Sequence, residues 1–250
     1  MSETISAAAD LLFAARADAA HPLSDLPAGL KPADAAAAYA IQAKTIAKTG
    51  PIGGWKVAPL AADGSSQCSP LPAATLLASG GNVPVSRLRG IEAEIAVRIS
   101  RDLPPRATPY SREEVIAAID AMLPVIELLE SAYAEPNQID KITNLADRQT
   151  NGALVLGTPI AAWQGIDLAA ETMEQLVDGA LNHGRTGFPG GDLIAEVVWL
   201  ANVGSQWAGG LKAGQIVTCG SWSGSNRVGP NAQVEVKFSS FAPVTIRYGA

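Results

Sequence analysis

The segment Ile91-Glu92-Ala93-Glu94-Ile95-Ala96-Val97 opens a clean two-residue alternation that runs to Ser100. Period two is the signature of a β-strand, so a strand is predicted over Ile91 to Ser100. Strand side chains alternate between faces, which puts Ile91, Ala93, Ile95 and Val97 on one side and Glu92 and Glu94 on the other. Two carboxylates side by side repel each other, and one would be pushed to a raised pKa unless a cation sits between them. A hard divalent ion such as Mg²⁺ or Mn²⁺ is a natural partner, because both prefer oxygen ligands. For an isolated E-x-E, a solvated strand face accounts for the same pattern.

The rest of the chain sorts into few helices and many strands. Helices are expected over Ser6 to Ala20 and Ala33 to Lys48, and a short strand over Ile52 to Ala58. Ala61 to Asn82, rich in Gly, Ser and Pro, is expected to be irregular. Ser111 and Glu114 form a capping-box pattern, so a helix is predicted from there to about Met122, ended by Pro124. A strand over Val125 to Tyr133 and a helix near Leu193 to Ala208 follow, and strands over Gln233 to Ser239 and Val244 to Tyr248 close the chain. No internal repeat is present. The pattern predicts a β-rich α+β fold and not a doubly wound parallel sheet. Residues 1–50 read as an N-terminal helical segment and 51–250 as the catalytic domain, together one structural unit.

Composition narrows the function classes. The 250 residues are 48% hydrophobic and 17% charged, which suits a sizeable core and excludes a mainly disordered chain. The net charge of -6 lacks the basic footprint of nucleic-acid binding, and no polybasic stretch addresses a membrane surface. No basic-then-apolar leader is visible, and no apolar run is long enough to span a bilayer, so a cytoplasmic location is expected. Cys68 and Cys219 match no zinc spacing and are expected to be reduced thiols.

Other candidates join the paired glutamates. Glu127 sits in the apolar run Leu123-Pro124-Val125-Ile126-Glu127-Leu128-Leu129, and buried carboxylates are rare unless paired or metal-bound. A structural salt bridge is the alternative. Glu130, three positions on, falls on the opposite strand face. Lys56 is the only charge in Gly53-Gly54-Trp55-Lys56-Val57-Ala58. Apolar surroundings and a nearby cation are expected to lower its pKa, making it a proton carrier near neutrality, unless it simply reaches water. The polar cluster Asp147-Arg148-Gln149-Thr150-Asn151-Gly152 could meet a ligand carboxylate or merely make a turn. His21 and His183 read as loop and strand-end residues, with a base role for His21 as the minority reading. No Walker A, G-x-S-x-G, H-E-x-x-H or dinucleotide-binding glycine motif occurs.

Taken in order, these segments resemble the fumarylacetoacetate hydrolase superfamily, within it the branch of 2-oxopent-4-enoate hydratases and 4-oxalocrotonate decarboxylases. The likeness begins at Ala38-Tyr39-Ala40-Ile41-Gln42 and runs through Gly54-Trp55-Lys56-Val57, Ile91 to Ala96 and Leu123 to Glu127. It continues at Ala146-Asp147, Trp199 to Asn202, Gly210 to Val217 and Val244 to Tyr248. The resemblance implies a distorted β-roll flanked by helices, Glu92, Glu94 and Glu127 as ligands of Mg²⁺ or Mn²⁺, and a homo-oligomer. It also implies Lys56 and Thr150 as catalytic groups near the substrate. Leu71, Asp147 and Ser221 are further candidate substrate contacts. Hydratases of the branch carry an acid between the lysine strand and the E-x-E strand. Here that region reads Gln67-Cys68-Ser69-Pro70-Leu71-Pro72-Ala73-Ala74 and has none, which bears on water activation and not on the metal site.

The expected activity is hydration of a 2-hydroxypenta-2,4-dienoate-type substrate in aromatic catabolism. The alternatives are decarboxylation of a 4-oxalocrotonate-type diacid and hydrolysis of an acylpyruvate. A non-enzymatic alternative is a silent partner subunit of a hydratase–decarboxylase complex.

Overall fold

The computed structural model describes residues 2–84 and 86–249. Helices α1 (Ser2–Ala17) and α2 (Ala35–Ile46) precede the first strands, β1 (Ile52–Val57), β2 (Cys68–Pro72), β3 (Leu76–Ala78), β4 (Asn82–Val83) and β5 (Gly90–Ile99). Then come α3 (Arg112–Ile116), β6 (Ile119–Leu129), α4 (Lys141–Ala146), β7 (Asn151–Leu156), β8 (Thr172–Val177) and β9 (Ala180–Thr186). The chain ends with α5 (Leu193–Trp199), β10 (Ile216–Cys219), β11 (Asn226–Arg227), β12 (Gln233–Phe238) and β13 (Val244–Tyr248).

The strands form two sheets. The larger has the order β2-β1-β10-β5-β6-β7-β3, with β11 paired to the end of β5. The smaller has the order β4-β13-β12-β8-β9. One face of β5, with Ile91, Ala93, Ile95 and Val97, packs in the main core together with Val234, Val236, Val244 and Ile246 of the second sheet. The opposite face of the large sheet turns inward on itself, and Leu71, Ala96, Leu123, Val125, Leu154 and Ile216 make a small separate core there. This is the expected α+β roll. A third cluster joins α1 and α2 through Ala8, Leu12, Ala38 and Ile41 to Tyr133 and Leu145. Asp34 caps α2 by accepting from the Ala37 amide.

Two local expectations are overturned. The capping box at Ser111 and Glu114 is present, but the helix stops at Ile116 and the chain is already a strand by Ile119. The apolar run that follows finds partners on both edges, β5 and β7, and this pairing outweighs local helix propensity. Pro124 therefore lies within a strand instead of ending a helix. Its carbonyl accepts from Gly157 N at 2.9 Å, just beyond the end of β7. A strand residue's N–H and C=O point the same way, so the bond that Pro124 forgoes is the reciprocal one to Gly157, at the end of the β6–β7 ladder, and its pairing with Ile95 of β5 loses nothing. The Ala61 to Asn82 region is not irregular throughout: it holds the fully buried β2 and the short β3 and β4. Pro70 and Pro72 are tolerated because β2 is the edge of its sheet.

Candidate metal centre

Register alone gathers the candidate side chains. Glu92 lies opposite Glu127 in the β5–β6 ladder. Lys56 lies opposite Thr218 between β1 and β10, and Thr218 opposite Ala96 between β10 and β5. Directly opposed residues share a sheet face. Glu92 and Glu94 are on the Ala96 side of β5, so all these groups point into the roll. One carboxylate oxygen from each of Glu92, Glu94 and Glu127 falls within 4.8 Å of the others.

Each carboxylate is held by a neutral donor. The Ser225 hydroxyl donates to Glu92 Oε1 and the Thr218 hydroxyl to Glu94 Oε2. Asn151 Nδ2 donates to Glu127 Oε1 at 2.7 Å. Lys56 Nζ donates to Glu127 Oε2 at 2.6 Å and stands 3.7 Å from Glu92 Oε2. Glu94 Oε1 is buried and has no partner among the described residues. An orphaned buried carboxylate oxygen beside two more carboxylates is a donor set that fits a hard divalent cation.

The electrostatics correct one expectation. Burial opposes charge on Lys56, but attraction from Glu127, Glu92 and Glu94 outweighs it and holds the ammonium above its ordinary range. Burial or a neighbouring cation lowers a lysine pKa, and here three acids at close range override the burial. Burial, reinforced by Glu92 and only partly offset by Lys56, pushes Glu94 up to about 7. Burial also raises Glu127, against the pull of Lys56. Burial acts on Glu92 as well, yet Lys56 and the Ser225 hydroxyl prevail and lower it.

Lys56 and Glu92 open onto a cavity of about 270 Å³, whose walls include Gln149, Thr150, Glu135 and Arg227. Thr150 lines the same cavity as Glu92, and its hydroxyl donates to Asn144 Oδ1 at 3.2 Å. Ser69 lies opposite Lys56 on β2 and donates to Gln149 Oε1 at 2.8 Å. A neutral hydroxyl–amide pair therefore stands on the β2 side of Lys56.

Three sequence candidates sit elsewhere. Leu71 is buried in the apolar part of the roll interior. Asp147 accepts from Arg16 Nε, from Ser131 Oγ at 2.6 Å and from Ala132 N at 2.9 Å, tying α1 to the end of α4. Ser221 has a buried hydroxyl with no partner among the described residues and does not line the cavity. His21 is exposed and 2.8 Å from Asp18, and His183 lies on β9 in the second sheet. Both cysteines are free and buried. Asn151 belongs to the polar cluster singled out from the sequence, though it meets Glu127 and not a ligand, whereas Thr218 and Ser225 were not anticipated: a lone hydroxyl carries no sequence signal until register places it against an acid. No described helix is long and apolar enough to cross a membrane.

The model of the fumarylacetoacetate (FAA) hydrolase C-terminal family matches residues 62–247. The 2-keto-4-pentenoate hydratase of Paraburkholderia xenovorans (strain LB400) is 30% identical over 142 residues, covering 56% of this chain and 52% of that protein. The 4-oxalocrotonate decarboxylase of Pseudomonas putida is 27% identical over 176 residues, covering 68% of this chain and 64% of that protein. The matches thus span about half to two thirds of these curated relatives. Among solved structures, the 4-oxalocrotonate decarboxylase from Pseudomonas putida G7, complexed with magnesium and adipate, superposes with a TM-score of 0.83 at 22% identity, over 99% of this chain and 98% of that one.

Proposed function

The chain belongs to the fumarylacetoacetate hydrolase C-terminal family, and from that membership we propose that it is a Mg²⁺- or Mn²⁺-dependent lyase that hydrates a 2-hydroxy-2,4-dienoate to a 4-hydroxy-2-oxo acid. The observation that carries this reading is the convergence of Glu92, Glu94 and Glu127 beside Lys56, with Glu92 and Lys56 open to one cavity. The relatives named as hydratases support the choice of reaction. The magnesium in the similar decarboxylase structure supports the choice of metal.

Glu92, Glu94 and Glu127 would hold the ion. When bound, a divalent cation supplies charge stabilisation at a ligand's carboxylate and 2-oxygen. Ketonisation moves the dienol's proton from the 2-oxygen to C5, and Lys56, charged and anchored on Glu127, would relay it, giving a proton to that carbon and recovering one from the oxygen. Thr150 and Gln149 orient the substrate from the facing wall. Glu135, the one acid on the cavity wall outside the metal set, would take a proton from the water adding at C4 and return it to C3.

Decarboxylation of a 2-oxo diacid is the second reading, favoured by Arg227. This exposed guanidinium is part of the same cavity wall, where it could hold a second carboxylate. The test is product analysis after incubation with Mg²⁺ and either a 2-hydroxydienoate or an oxalocrotonate-type diacid. Loss of dienol absorbance with a 4-hydroxy-2-oxo acid as product is expected. CO₂ release from the diacid alone would replace hydration by the second reading. No turnover of either compound would remove both.

A further inference from the structure

The loop between α4 and β7 has two sides. Gln149 and Thr150 line the cavity beside the carboxylates, while Arg148 lines a different one. That second cavity, about 320 Å³, is walled by Arg148, Arg16, Thr75, Leu77, Leu128 and Ala153 among others. Arg148, Gln149 and Thr150 all have left-handed backbone, with φ of 57°, 51° and 64°. Three such non-glycine residues in succession are costly, and it is this backbone that puts adjacent side chains into separate cavities.

Arg148 is only 6% exposed. Its Nε and Nη1 are buried without a hydrogen-bond partner among the described residues. The nearest acid in sequence does not hydrogen-bond it. Asp147 Oδ1 is taken by Arg16, and Oδ2 by Ser131 and Ala132. Nor does Glu130, the acid in the cavity wall. It accepts from Arg87 N and Ser131 N, both at 2.8 Å, and lies 3.9 Å from Arg87 Nη2. Every other charge around the cavity is matched, and the Arg148 guanidinium is the surplus one. Burial, then the charge of Arg16, draws its pKa down to about 9, so it remains charged at neutral pH.

A buried guanidinium without an acceptor is expensive, and a carboxylate satisfies two of its N–H groups at once. The remaining wall, with Leu77, Leu128 and Ala153, suits a short aliphatic body, and the volume is that of a small-molecule site. We propose that this cavity is a second binding site, separate from the metal centre, that takes a small aliphatic monocarboxylate on Arg148.

The probe is butyrate, titrated calorimetrically into protein stripped of metal with a chelator, so that no carboxylate can bind through an ion. Saturable one-to-one binding is expected. Arg148→Gln should weaken it about tenfold or more, while the variant still binds Mg²⁺. Ala153→Leu, which keeps the guanidinium but fills the cavity, should weaken it as well. This second variant decides the matter if Arg148→Gln does not fold. Absence of saturable binding to the wild-type protein overturns the proposal, as does an affinity unchanged by Ala153→Leu.

Discussion

Glu92 and Glu127 face each other directly across the β5–β6 ladder, and a single ammonium, Lys56 Nζ, reaches both, at 3.7 and 2.6 Å. One positive charge among three carboxylates leaves the cluster short of cations. Glu127→Gln removes one anionic ligand and keeps the shape of the site. Mn²⁺ affinity, read by titration calorimetry, should fall about tenfold or more, because a neutral amide is a weaker ligand for a hard cation. Unchanged affinity would exclude Glu127 from the ligand set.

Lys56→Met tests the other half of this relationship. It strips the countercharge from a buried carboxylate, a change worth about 3–5 kcal/mol when one partner of a buried pair is lost. The metal-free variant should therefore melt well below wild type. Saturating Mg²⁺ should recover much of that loss, because the ion replaces the missing charge. Turnover should drop by about 10²–10⁴-fold if Lys56 carries the proton. A metal-loaded variant with full activity would make Lys56 purely structural.

Glu94 gives the centre a pH dependence. Burial holds it near 7, above its ordinary 4.5, so the folded metal-free protein binds this proton more tightly than the unfolded chain does. The stabilisation is fully present below 4.5 and is lost as pH rises through about 7. A metal ion needs the ionised form, so the proton competes with it. Mg²⁺ affinity should thus fall as pH drops below 7, with proton release on binding measurable from the buffer dependence of the heat. A flat affinity between pH 6 and 8 would count against this.

Much of this site is legible in the sequence because strand alternation is a local rule. Ile91 to Val97 specifies which side Glu92 and Glu94 occupy, and the apolar setting of Glu127 marks it as an acid in need of a partner. Their convergence is not local, since it depends on the register between β5 and β6. Thr218 and Ser225 hold Glu94 and Glu92 from far along the chain, and nothing around either hydroxyl announces that role. The stretch from Ile116 to Pro124 misleads for the same reason. A good capping box predicts a helix, while the pairing that makes a strand of it lies on β5 and β7. Lys56 shows the limit of reading a charge from its flanks: its apolar neighbours in sequence suggest a lowered pKa, and the three acids across the sheet reverse the sign.

Glu196 offers a test away from the metal centre. It is buried in α5, and neither carboxylate oxygen has a hydrogen-bond partner among the described residues. Burial, partly offset by the Cys219 thiol beside it and reinforced by the charge of Asp192, pushes it up to about 8. Because this pKa is raised, the folded state is favoured while the group stays protonated. That contribution is intact below 4.5 and disappears as pH rises through about 8. Glu196→Gln removes the ionisation and keeps the volume. The variant should match wild type in melting temperature near pH 4 and exceed it above pH 8, by a margin of about 1–4 kcal/mol in unfolding free energy. Parallel pH profiles for the two proteins would mean that Glu196 is ionised and solvated throughout, and that water reaches this end of α5.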